Sequence, residues 1–303
     1  EGTNIGFVPL NVSNPNLKWE TTGQLNVGLD FGLWENRLTG TLDAYDKQTD
    51  DLLLNQPLGP SSGFTSLLVN RGSLNNKGVE LTLNGSLIDK NDFSIDIGGN
   101  IAFNKSKIQN LGGTPEDIYI NGNIENRVFY RGQNISTGNY FRAPANIFME
   151  GEEVGLFYGF ETDGIYQTED VITVSGAQAG DVRIVDQNGD DAITEADRTI
   201  IGNPNPDFVY GGYLSMNYKR LNLSIQMNGV YGNEIANGNS IQLGTAEGRS
   251  ANILSQAYNN AWRPDAQSNT YPRVGYSRES GSPAISDRII EDGSFLRISN
   301  ITL

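Results

Sequence analysis

Five stretches of the chain alternate apolar and polar residues with a strict period of two. In 24–33, Leu25, Val27, Leu29, Phe31 and Leu33 are apolar, with Gln24, Asn26, Gly28, Asp30 and Gly32 between them. In 93–103, Phe93, Ile95, Ile97, Ile101 and Phe103 stand against Ser94, Asp96 and Asn100. Residues 79–87, 208–218 and 221–231 repeat the pattern. A period of two is a strand with one apolar and one polar face. The polar face carries Asp, Asn and Gln and looks onto water, so the fold class turns on what the apolar face meets.

The connections bear on that. Leu33 reaches Leu38 through Trp34-Glu35-Asn36-Arg37, Leu87 reaches Phe93 through Ile88-Asp89-Lys90-Asn91-Asp92, and Tyr218 reaches Leu221 through Lys219-Arg220. Between these hairpins lie long connections, from Asn55 to Gly78, Gln109 to Asp207 and Asn233 to Ser294. Tight turns on one rim and long insertions on the other suit an outer-membrane barrel. A soluble sandwich has no reason to place its long loops at one end only. Each alternating run approaches the roughly 9–11 residues that a tilted strand needs to cross a bilayer. The pattern predicts an all-β chain, an antiparallel transmembrane β-barrel section of about seven strands with long extracellular loops. The strands are expected near 18–33, 38–54, 78–88, 93–106, 207–218, 221–234 and 294–303. In the second, Leu38, Gly40, Leu42 and Ala44 keep the apolar parity before Asp46, Gln48 and Asp50 take it over, so this strand should run beyond the bilayer. Trp34, Phe93 and Tyr218 sit beside the short turns, at the level of lipid headgroups.

Composition narrows the function classes. No run approaches roughly 18 uninterrupted apolar residues, which excludes helical membrane spans but not strands. Cysteine is absent, so there is no disulfide framework and no thiolate metal site. Histidine is absent too, which removes the commonest general base and speaks against a barrel hydrolase. The net charge of −15 excludes nucleic acid as a partner and suits neutral sugars, peptides or cations. The opening Glu1-Gly2-Thr3-Asn4 has neither the basic start nor the apolar core of a signal peptide, and Leu303 stops within a predicted strand; the chain reads as a fragment of a larger protein.

The most specific chemical motif lies in the longest connection, 107–206. It is DQNGDDAITEAD, Asp186 to Asp197. An EF-hand-like loop places oxygen ligands at positions 1, 3, 5, 7, 9 and 12. Here these are Asp186, Asn188, Asp190, Ala192 (through its carbonyl), Thr194 and Asp197, which makes Ca²⁺ the expected cofactor. Ile193 supplies the apolar anchor, whereas position 6 is Asp191 in place of glycine and position 12 is Asp in place of Glu. An Asx-rich turn that binds nothing is the plain alternative. Residues 249–262 can form an amphipathic helix bearing Tyr258 and Trp262, whose apolar stripe is expected to dock on its own protein rather than stack on a sugar. Tyr130, Tyr140 and Phe141 carry the same two readings, and Asp287, Arg288, Glu291 and Asp292 read as a solvated rim. No organic cofactor is indicated, and substrate-binding residues are not readable.

Several segments together resemble the SusC-like (SusC/RagA) TonB-dependent outer-membrane transporters. They are NPNLKWETTGQLNVGLDF (14–31), YDKQTDDLLL (45–54), NRGSLNNKGVELTL (70–83), VGLFYGFETDGIYQ (154–167), GDVRIVDQNGDDAITEADRTIIGNPNPDFVYGG (180–212) and SDRIIEDGSFLRISNITL (286–303). The resemblance implies that 1–303 is part of a barrel of about 22 strands, lacking its plug and terminal strands. It also implies the bacterial outer membrane, a SusD-type lipoprotein lid, energy relayed by the TonB complex, and import of glycans or peptides. Asn26, Asp30, Asp96, Asn100, Asn222 and Gln226 would then line the lumen. The alternative is a secreted, calcium-stabilised carbohydrate-binding or adhesive β-protein, whose apolar strand faces would pack on a second sheet.

Overall fold

A computed structural model describes residues 12–132, 134–136, 142–244, 252–274 and 285–303. Its frame is one seven-stranded sheet: β1 (Thr21–Leu33), β2 (Leu38–Asp50), β3 (Ser73–Lys90), β4 (Phe93–Asn110), β5 (Phe208–Tyr218), β6 (Leu221–Tyr231) and β7 (Phe295–Thr302). Each strand pairs antiparallel with the next in sequence, an up-and-down wall without crossovers.

Register turns the period-two pattern into surfaces. Leu29 lies opposite Leu42, Leu42 opposite Leu81, Leu81 opposite Ile101, and Ile101 opposite Tyr210. The rows above and below repeat this, so a single apolar belt crosses the wall on one face. Its side chains are open to the surroundings: Leu25 is 69% exposed, Val27 66% and Ile301 61%. Among the described residues no second sheet covers them. The opposite face carries the polar set.

Four aromatic rings lock neighbouring strands by lying over the glycine opposite: Phe31 over Gly40, Tyr45 over Gly78, Tyr213 over Gly98 and Tyr210 over Gly229. A Cβ at any of these glycines would fall within 2.4 Å of a ring atom. Such pairs let a ring shield a bare stretch of backbone and pin register.

Several boundaries differ from the sequence reading, for local reasons. The second strand stops at Asp50 rather than 54, because Asp51 adopts a φ of 59° and turns the chain into a separate hairpin of Leu53–Pro57 with Ser66–Asn70. The third and fourth strands are longer than 78–88 and 93–106; their turn is only Asn91-Asp92, and their far ends continue above the belt with both faces polar or covered. The helix expected over 249–262 is confined to Ser255–Asn260, with 249–251 outside the described residues.

The hydrophobic core lies at the long-loop rim rather than in the wall. Of the buried hydrophobic side chains among the described residues, only Ile108 belongs to a wall strand. The connection between β4 and β5 builds a four-stranded sheet, in the order Arg198–Gly202, Leu156–Phe160, Asn146–Met149, Phe129–Arg131, flanked by the hairpin of Glu116–Ile120 and Asn123–Arg127. Ile118, Ile147, Met149, Leu156 and Tyr158 pack between them. A second cluster joins Phe160, Ile165, Val182 and Ile184 to Trp262 from the last long connection.

Candidate functional site

The polar face of the wall gathers into one groove of about 550 Å³, lined by Gln24, Asn26, Asp43, Tyr45, Lys47, Asn76, Glu80 and Asn104 from four adjacent strands. Period-two alternation places these side chains together: even positions of β1 and β3 and odd positions of β2 meet across the register. Tyr45 donates through its hydroxyl to Asn104 Oδ1 at 3.0 Å, Thr41 to Asp30 Oδ1 at 2.7 Å, and Tyr213 to Asn84 Oδ1 at 3.1 Å. The Ser106 hydroxyl donates to Asn76 Oδ1. The result is a surface of hydroxyls, amides and a few charges, chemistry that hydrogen-bonds a polar solute.

Of the six residues expected to line a lumen, Asn26 lies in this groove, and the register sets Asp30, Asp96, Asn100, Asn222 and Gln226 on the same face. The structure adds Tyr45, Lys47, Glu80 and Asn104. Their parity was readable in the sequence, but which of many polar residues converge depends on register.

The Asp186–Asp197 segment is a coil held by its own amides. Asp186 accepts from the backbone N–H groups of Gly189 (2.7 Å), Asp190 (3.3 Å) and Asp191 (2.7 Å). Asn188 Oδ1 accepts from Asp190 N, and Asp190 Oδ1 from Ala192 N. Asp197, fully buried, accepts from Gln187 N and Thr194 N, and Thr194 caps the 3-10 turn Glu195–Asp197 in a capping box. Burial works against the charged form of Asp186, but the N–H groups of Asp191, Gly189 and Asp190 and the contact with Asp197 outweigh it and hold its pKa below the usual carboxylate value. Positions 1 and 12 of the loop are thus in contact. Asn188 and Asp190 instead bond to one another, and among the described residues no three acidic side chains gather around a common centre.

Other singled-out residues have structural work. Trp262 is buried and donates through Nε1 to Gln167 Oε1 at 3.0 Å, so it docks on its own protein. Tyr258 stays exposed beside Arg263, and Tyr130 packs against the cluster of Ile108, Leu111 and Val128. Tyr140 and Phe141 lie outside the described residues. Asp287 is not solvated rim: it accepts from Thr162 N at 3.1 Å and Thr162 Oγ1 at 2.6 Å, tying two long connections together. Arg273 bridges the buried Asp181 at 2.7 Å across a second such junction. Tyr158 donates to the Tyr119 carbonyl at 2.8 Å, and burial, against the pull of Arg131 and Arg198, pushes its pKa up to about 12.

The family model described as TonB dependent receptor-like, beta-barrel matches residues 2–228. The chain belongs to the TonB-dependent receptor β-barrel family. As a member of the SusC/RagA type, its place is the bacterial outer membrane. TonB-dependent receptor P3 of Formosa agariphila is 33% identical over 98% of this chain and 28% of its own length. TonB-dependent receptor SusC of Bacteroides thetaiotaomicron is 31% identical over 96% of this chain and 26% of its own. A solved structure of the RagAB peptide importer in its closed-closed state superposes with a TM-score of 0.70 at 25% identity, over 95% of this chain and 29% of that one. The chain therefore spans less than a third of the length of these relatives. The exposed apolar belt and the polar groove are thus the two faces of one antiparallel sheet in a chain of this β-barrel family.

Proposed function

We propose that this receptor section forms part of the substrate path of a TonB-dependent importer for glycans or oligopeptides. The observation that carries the reading is the division of one continuous wall into an apolar outer belt and an inner face of hydroxyl, amide and carboxylate groups. Such a face offers a sugar or a peptide backbone replaceable hydrogen bonds, strong enough for entry and weak enough for release. The folded rim of loops would receive a SusD-like lipoprotein lid, and the TonB complex would supply the energy. The RagAB structure, described as a peptide importer, supports oligopeptides as one cargo class, and likeness to SusC-type receptors supports the rest.

This chain contributes no cysteine of its own, and any cysteine elsewhere in the full-length protein is first replaced by serine. Single cysteines are introduced into the full-length protein at Asn26 and Asn100 on the inner face and at Leu29 and Ile97 on the belt. A hydrophilic maleimide added to intact cells is expected to modify the first pair and not the second, and cargo is expected to slow modification of the first. Equal labelling of both pairs would reject the reading.

A second reading concerns the loop. We propose Ca²⁺ between Asp186 and Asp197, supported by the meeting of these two carboxylates at the ends of the coil. The expected result is a saturable rise in Tm of the intact protein with Ca²⁺ that Mg²⁺ does not reproduce. An unchanged Tm would leave the loop a self-capped turn.

A further inference from the structure

The outer belt ends at a defined row. Ala44, Val79 and Phe103 lie opposite one another on β2, β3 and β4. The next row on the same face is Asp46, Lys77 and Lys105, and the one after it Gln48, Asn75 and Lys107. Successive rows on one face of a sheet are about 7 Å apart, so three ammonium groups are rooted in the first two rows above the last lipid-facing side chains. This is the long-loop end of the strands, which in such barrels is the extracellular end.

These lysines share one shallow groove of about 440 Å³ with Gln48, Asn75 and Gln109. Lys77 pairs with Asp46 at 3.0 Å, and Asp46 also accepts from Asn75 at 2.6 Å. The exposed Lys105 and Lys107 side chains make no hydrogen bond or ion pair among the described residues. Three bases against two acids, Asp46 and the Glu153 that lies opposite Lys107, still reverse the sign of a chain that carries 36 acids and 21 bases. On the inner side of the same strands, Leu74 and Ile108 are held in the rim core with Leu111 and Val128. The backbone that presents the lysines is thus braced from behind while their own face stays open.

We propose that this groove holds the phosphate groups of anionic lipids in the outer leaflet, with Lys105 and Lys107 as the direct contacts and Lys77, shared with Asp46, as a weaker third. Basic side chains at a membrane surface attract anionic headgroups, and long lysine stems reach along apolar surface while the charge stays at the interface. A free phosphate offers the same charge, but only a lipid also uses the row of Val79 and Phe103 beneath. The proposal rests on the outer-membrane placement and is independent of what the lumen carries.

The test uses the full-length protein in detergent, titrated with mixed micelles containing either phosphatidylglycerol or phosphatidylcholine. Heat-modifiable gel migration confirms that each variant is folded. Lys105→Gln combined with Lys107→Gln is expected to weaken binding to the anionic micelles about 25-fold, about fivefold per lysine, and to leave phosphatidylcholine unaffected. Lys18→Gln removes the same charge at the long-loop end but outside the groove, and is expected to leave binding to the anionic micelles unchanged. Equal anionic binding by wild type and double variant overturns the proposal. So does an equal loss in Lys18→Gln, which would mark a net-charge effect, or displacement of the lipid by inorganic phosphate at matched concentration. A protein that is folded and monodisperse without detergent would instead overturn the membrane placement itself.

Discussion

Asp191 shows how much one backbone angle can ask of a residue. Its φ of 60° is left-handed, at the loop position where a glycine was expected from the motif. A side chain there costs about 1 kcal/mol, and less for Asp than for most. Asp191→Gly is therefore expected to stabilise the coil by about 0.5–1 kcal/mol, read as slower amide exchange at residues 189–191. Asp186 makes a pH-dependent contribution. Its pKa is lowered in the folded protein, so the stability it adds is complete above the unfolded carboxylate value of about 4. That stability is lost as pH falls through the lower folded value. Exchange of the Gly189, Asp190 and Asp191 amides should accelerate below pH about 4, and Asp186→Asn should remove the acid dependence. The coil was legible from its alternating Asp and Asn residues. Its closure by Asp197 onto Gln187 and Thr194 was not, because backbone amides carry no mark in a sequence.

At the scale of the strand, alternation makes adjacent positions chemically opposite. Leu81 occupies the middle of the belt between Leu42 and Ile101, and Thr82 faces inward between Thr41 and Asn100. Leu81→Arg is expected to destabilise the intact barrel by about 2–4 kcal/mol, whereas Thr82→Arg should fold normally and alter cargo passage. The temperature at which the compact gel form converts to the unfolded one measures the first, and uptake measures the second. This division was readable because strict alternation marks one face of a strand as apolar, while the tight turns at one rim and long loops at the other pointed to a barrel wall. The extension of β3 down to Ser73 was not, since Leu74, Asn75, Asn76 and Lys77 leave the pattern. Above the bilayer the outer face meets water, and the inner face meets the rim core, so the alternation has no single solvent to record.

For the whole molecule, wall and rim answer to different surroundings. Trp262 closes the rim cluster with Phe160 and Ile165. Trp262→Ala is expected to cost the rim about 3–5 kcal/mol, raising exchange across 156–184 while the heat-modifiable migration of the wall persists. The rim was the least legible part of the chain. Its strands run three to five residues in the main, too short for a period to emerge. The one available signal was the unbroken apolar run Leu156–Phe160, buried at every position, which marks a strand covered on both faces. Its partners come from distant segments tied by Asp287 and Asp181, and no local pattern announces them. The placement of buried apolar side chains in the rim and exposed ones on the wall also has a thermal consequence. Melting the rim hydrates its core and so carries a large positive heat-capacity change, whereas the belt already faces hydrocarbon and contributes little of that kind until it leaves the membrane. Chilling weakens the first kind of cohesion, so in the cold the protein should loosen from its long-loop rim while its strands hold.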